Sequence, residues 1–220
     1  MRDEQRAQTT FRGGQLSRHR STVPERRLPR VQIYLVRHGE TEWAANGRHT
    51  SVTDIPLLES GRRDAEALRE RLAGLEFALV LTSPRARARV TAELAGFGES
   101  LQVDEDLVEV DYGEYEGLTT PEIRETVPGW TVWQHGSPGG ETVDDVGVRA
   151  DRVIERALDA GGDVALFAHG HFLRILGARW IGLSAVYGGN LLLSTGSLCV
   201  LGFERERRGI VLWNDTSHHG

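Results

Sequence analysis

The chain has 220 residues, 39% hydrophobic and 26% charged, with a formal net charge of -6; this suits one globular domain long enough to bury a core. No apolar run approaches membrane-span length, lysine is absent, and Cys199 is the only cysteine. Transmembrane anchoring, lysine-based Schiff-base or P-loop chemistry, an internal disulfide and a cysteine-built zinc site are thereby excluded.

The charge is uneven. Residues 1–30 hold eight arginines against three acids, a net +5, leaving -11 on the remainder. An acidic body argues against nucleic acid as the main partner, so an anionic ligand must be held by locally placed cations. Residues 1–30 lack periodicity and read as a disordered Arg-rich arm, with residues 31–220 as the folded domain. Without a signal-peptide core, and with a lone thiol in an apolar run, the chain is expected to be cytoplasmic.

In chain order, Ile33–Val36 reads as a buried strand running into Arg37-His38-Gly39, with the glycine offering backbone clearance to a ligand. Residues 42–46 suggest a short helical turn and 47–56 a hydroxyl-rich loop. Ser60 is expected to cap a helix with Ala65, Leu68, Leu72 and Leu75 on its apolar face. A second strand, 77–81, ends at Thr82-Ser83-Pro84, with Pro84 in the first turn of a helix carrying Arg85, Arg87 and Arg89. Alternate helical positions diverge, so only one or two of these arginines can face a crevice.

Residues 104–117 carry seven carboxylates, most expected to be solvated. Thr119 and Glu122 form a capping-box pattern, and a long amphipathic helix starts at Glu141-Thr142. A third strand, 164–168, ends in His169-Gly170-His171 and runs into a helix with Leu173, Leu176, Trp180 and Leu183 on one face. Segments 197–204 and 209–214 look like a closing antiparallel pair. The alternation predicts an α/β fold, and three strand ends deliver Arg37-His38, Ser83 with Arg87, and His169 to one edge. An arginine fork and an imidazole there suit phosphate binding and transfer.

With Leu35–Trp43, Thr82–Ala88, Glu109–Gly117, Gly139-Gly140-Glu141 and Phe167–His171 in this order, the chain resembles the histidine phosphatase superfamily. Gly47–Thr50, Asp111–Gly117 and Ala168–Arg174 bring it nearest the subgroup of sedoheptulose-bisphosphatase-like enzymes and small acid phosphatases. The resemblance implies a three-layer α/β/α sandwich with a mostly parallel central sheet, the phosphoglycerate-mutase-like fold. It makes His38 the nucleophile and Glu109 the proton donor, with Arg37, Arg87 and His169 holding phosphate oxygens. Ser83, Thr50, Ser51, Tyr112, Gly170 and Arg174 match substrate-side positions.

The activity implied is metal-independent hydrolysis of small phosphorylated metabolites, sugar phosphates or bisphosphates foremost, with no cofactor and no metal. Neither nucleic acid nor membrane is an expected partner, and homo-oligomerisation is left open. For His38 to attack, one ring nitrogen must be unprotonated, with a backbone carbonyl fixing the other. Glu109 must carry a proton first, favoured by burial and by the phosphate's charge. Ala44 and Ser51 depart from the common pattern, which has Asn and Gly there, and bear on specificity. Residues 48–53, 112–115, 130–135 and Arg174 are expected around the entrance. Alternatives are mutase chemistry at the same site, a metallohydrolase built on His169-x-His171, and a non-catalytic phosphate-binding module.

Overall fold

The computed structural model describes residues 31–219; the expected arm over 1–30 lies outside the described residues. Strand β1 (Ile33–Arg37) leads through helical turn α1 (Glu42–Ala45) to helix α2 (Glu59–Leu72), followed by β2 (Leu79–Thr82) and α3 (Ala86–Ala92). Strand β3 (Leu101–Val103), the short helices α4 (Thr120–Thr126) and α5 (Val132–His135), and the long α6 (Val143–Asp159) come next. Strand β4 (Val164–Ala168), helix α7 (Gly170–Trp180), β5 (Leu198–Glu204) and β6 (Arg207–Asp215) complete the order.

The six strands form one sheet in the order β3-β2-β4-β1-β5-β6; the first four run parallel, and β5 and β6 antiparallel. Strand alternation sends Ile33, Leu35, Val164, Leu166, Cys199 and Leu201 into one core, which α6 and α7 close. Tyr34, Val36, Ala165, Phe167 and Val200 enter a second core beneath Leu68 and Leu72 of α2 and Ala92 of α3. Both faces are thus covered, which gives the three layers expected. Among the described residues, no helix is long and apolar enough to cross a membrane.

Several boundaries differ from expectation. Ser60 lies inside α2, whose N-cap is Leu58; the Ser60 hydroxyl instead donates to Glu40 Oε2 (2.7 Å). Pro84 precedes α3, whose N-cap is Arg85. Leu75 and Leu183 fall beyond α2 and α7 and are exposed. The capping box at Thr119 and Glu122 forms, and Thr142 and Asp145 make a second one at the start of α6. Of the seven carboxylates in 104–117, only Glu105 and Glu114 are exposed. Arginines of α6 hold two others: Arg152 pairs with Asp106 and Arg156 with Asp104.

Gly39 has a different duty from the one expected. A Cβ there would stand 2.3 Å from the Gly61 carbonyl oxygen, and one at Gly61 would stand 2.3 Å from the Glu40 nitrogen. The clearance serves the helix α2 backbone, not a ligand.

Candidate active site

Register brings the strand ends together. Arg37 pairs with Ala168 and Thr82 with Phe167, so the residues after β1, β4 and β2 emerge side by side. The His38 N–H donates to Ala168 O and the Ser83 N–H to Phe167 O, both at 3.0 Å. From the other side the His38 carbonyl accepts from Gly196 N (3.0 Å), and Gly39 N donates to Thr91 Oγ1 of α3 (3.0 Å). Backbone bonds therefore fix His38 on both flanks.

The His38 ring is 2.8 Å, through Nδ1, from the Gly39 carbonyl oxygen. A carbonyl can only accept, so Nδ1 carries the proton and the Nε2 lone pair is free. Burial, then the charges of Arg87 and Arg37, hold the His38 pKa well below the usual imidazole value, against the opposing pull of the Gly39 bond. The neutral, nucleophilic state is the resting one.

His169 faces it, with ring centroids 5.3 Å apart. Its Nε2 lies 2.7 Å from Ser83 Oγ, which already accepts from Arg85 N (3.3 Å). The Ser83 hydroxyl keeps its proton and a second lone pair for Nε2, and the His169 Nδ1 is buried without a partner among the described residues. Burial and the neighbouring Arg87, His38 and Arg37 keep this ring neutral too.

Two guanidinium groups flank the imidazoles. Arg37 Nη1 donates to Leu193 O (2.6 Å), while its Nε is buried without a partner among the described residues. Gly170 makes room for it: a Cβ would stand 3.2 Å from Arg37 Nε. Arg87, 1% exposed, donates from Nη1 to Thr53 O (3.0 Å) and from Nη2 to Thr50 O (3.1 Å) and Ser51 O (3.2 Å). It is the one inward-facing arginine of its trio: Arg85 is half-buried and Arg89 exposed.

Glu109, 6% exposed, accepts from the N–H groups of Val110 (3.0 Å), His171 (3.0 Å) and Phe172 (2.9 Å). Two of these belong to the first turn of α7. Behind Glu109, Arg149 of α6 spans Glu141, with two bonds at 2.8 Å, and the carbonyls of Asp106 (2.6 Å), Val108 (3.2 Å) and Glu109 (3.4 Å). Arg149 was missed in the sequence, although it stands on the apolar stripe of α6 between Val146 and Val153, where a cation needs a reason.

The cavity at this edge, about 160 Å³, is lined by Arg37, His38, Glu109, Thr50, Tyr112, Gly170 and Arg174 of the expected set. Arg87, His169, Ser83 and Ser51 do not line it. Ser83 acts through His169. Ser51 donates its hydroxyl to Glu116 Oε2 (2.6 Å), and Glu116 also takes the N–H groups of Ser51 and Thr53. Burial opposes ionisation of Glu116, but these donated bonds win and hold its pKa below the usual value.

Arg48 and His49, expected around the entrance, line the cavity, and so does His171, which the sequence offered only as a possible metal ligand. The His171 Nδ1 is 2.7 Å from the Tyr112 hydroxyl, and no group of His, Cys, Asp or Glu among the described residues is arranged to hold a metal ion. Cys199 is buried, its pKa pushed up to about 12 by burial, and stands away from the cavity lining.

Residues 33–216 match the histidine phosphatase superfamily (branch 1). The chain belongs to this superfamily. It is 42% identical to an acid phosphatase of Mycobacterium tuberculosis (strain ATCC 25618 / H37Rv) over 191 residues, covering 85% of this chain and 94% of the relative. It is 35% identical to a sedoheptulose 1,7-bisphosphatase of Saccharomyces cerevisiae over 181 residues, covering 68% and 67%. A 2,3-bisphosphoglycerate-dependent phosphoglycerate mutase 2 of Gloeobacter violaceus matches at 36% over 159 residues, covering 66% and 73%. Among solved structures, that of the open reading frame Rv3214 from Mycobacterium tuberculosis superposes with a TM-score of 0.80 at 42% identity, covering 84% of this chain and 97% of that one. The histidine phosphatase fold seen here is therefore shared over nearly the whole described length.

Proposed function

We propose that the protein is a phosphomonoesterase acting on small phosphorylated metabolites through a phosphohistidine on His38. The observation that carries this is the fixed tautomer of His38: a buried neutral ring, proton on Nδ1, with Nε2 unprotonated and the charges of Arg87 and Arg37 acting on the ring. In the first step Nε2 attacks phosphorus, the P–O ester bond breaks, and the leaving alkoxide takes a proton from Glu109. In the second step Glu109 takes a proton from water, the water oxygen attacks phosphorus, and the N–P bond breaks to release inorganic phosphate. Arg37, Arg87 and His169 supply positive charge and an N–H donor at fixed positions, the main contribution a protein makes to phosphoryl transfer.

The relatives named as acid phosphatase and sedoheptulose bisphosphatase favour hydrolysis, with sugar phosphates as the first substrates to try. Phosphorylated metabolites are the partners this reading requires; no nucleic acid or metal cofactor enters it. In the proposed mechanism His38→Ala lowers phosphate release from p-nitrophenyl phosphate by at least about 10³-fold and abolishes acid-labile phosphoprotein. Retention of either would overturn the nucleophile assignment. Turnover of phosphoglycerate by phosphoryl exchange, with negligible phosphate release, would convert the reading to a mutase.

A further inference from the structure

A second cavity of about 190 Å³ adjoins the first, and His49 and His171 line both. Beyond these two rings its wall is made by Trp130, Thr131, Trp133 and Arg124. The chemistry of that wall is polar as well as aromatic. Among the described residues the Trp133 indole N–H has no acceptor, whereas the indoles of Trp130, Trp180 and Trp213 each donate to a backbone carbonyl. Arg124 uses only Nε, on the Trp130 carbonyl. The Thr131 hydroxyl is buried without a partner, and it does not cap α5.

His171 stands at the junction with its orientation fixed. The only partner of the Tyr112 hydroxyl among the described residues is His171 Nδ1, at 2.7 Å, and a hydroxyl proton donated there leaves the ring's own proton on Nε2. Trp133, with its centroid 5.0 Å from His171, is held in turn by the Arg174 guanidinium 4.5 Å above its ring. The result is a neutral N–H donor, on a rigid support, between a phosphate-sized cradle and a cavity with free donors.

We propose that His171 is a specificity-determining donor to an oxygen of the leaving alcohol, and that the cavity behind it holds a polyhydroxylated carbon chain. This rests on the phosphatase reading for its orientation, with the phosphate at His38. A purely apolar leaving group would leave the buried Thr131 hydroxyl unmatched, whereas a hydroxylated chain can satisfy it and also reach the Trp133 and Arg124 donors. Tyr112 is then a positioning residue, acting through the His171 tautomer.

The test is calorimetric binding to His38→Ala protein, which forms no phosphoenzyme. The probes are fructose 6-phosphate and hexyl phosphate, six-carbon monoesters with and without hydroxyl groups. The hydroxylated ester is expected to bind about 10-fold or more tightly. In the His38→Ala/His171→Phe double variant that preference should collapse, and in His38→Ala/Tyr112→Phe it should shrink. Both outcomes are ratios of two ligands on one protein, so a general loss of folding does not imitate them. Equal affinity for the two esters, or a preference that survives His171→Phe, overturns the proposal. Absence of turnover in the unmodified protein would instead sink the phosphatase reading and leave this binding comparison standing.

Discussion

The residues proposed to cradle the phosphate and those proposed to face the leaving alcohol are built in opposite ways. Arg37, His38, Ser83 and His169 follow directly from strand ends, and β-ladder register places them before any side chain is considered. Arg48, His49, Tyr112 and Trp133 come from loops and short helices, held by side-chain contacts such as Tyr112 to His171 and Arg174 over Trp133. The cradle is thus a property of the sheet, while the alcohol side is a property of packing between connections. Chemistry common to a fold family sits naturally on the first, and differences in substrate on the second.

Substitutions on each side can separate the two. Arg87→Ala removes a charge that both orders residues 50–53 and serves the phosphate, so kcat should fall by about 10²-fold or more for every ester alike; a loss confined to sugar esters would place Arg87 on the wrong side of the comparison. Arg149→Met leaves the half-buried Glu141 carboxylate without its partner and frees the carbonyls around Glu109. Denaturant unfolding should show about 3 kcal/mol of destabilisation, and an unaltered midpoint would mean that Arg149 is replaceable packing. Ser83→Ala removes the hydroxyl that holds the His169 ring from behind, with about 10-fold lower kcat and KM little moved. A change in KM alone would make Ser83 a direct substrate contact.

The smallest effect concerns acid. Burial lowers the His49 pKa to about 4, from 6.5 in an unfolded chain, and Glu116 only partly opposes this. Below pH 6.5 the unfolded chain takes up a proton that the folded chain refuses until about pH 4, so stability falls as pH drops through that window. The slope is about 1.4 kcal/mol per pH unit for each such group. His38, His169 and His171 are depressed in the same direction. His49→Phe should flatten the stability curve between pH 6.5 and 4; an unchanged slope would mean that His49 is not neutral in the folded state.

The same contrast governs what was legible beforehand. Apolar runs ending in Arg37-His38, Ser83 and His169 announce themselves because strand, register and chemistry are contiguous in sequence. The carboxylates of Asp104 and Asp106 looked like part of a solvated loop because their partners, Arg156 and Arg152, lie more than 40 residues later on α6. Ser60 has the side chain of a helix cap, but it falls in the first turn of the helix, where its hydroxyl bonds Glu40. His171 stood open as a possible metal partner of His169 among the alternatives, since spacing alone cannot show that Tyr112 occupies its Nδ1.

The bare backbone contact between Gly39 and Gly61 also bears on the order of assembly. The loop after β1 takes its shape against α2 with no side chain between them, so the path of the chain from Gly39 to Glu40 is settled only once that helix is docked, whereas His38 is already held by the sheet. An intermediate holding the strands but not α2 would therefore keep His38 in place and lack an ordered loop beside it.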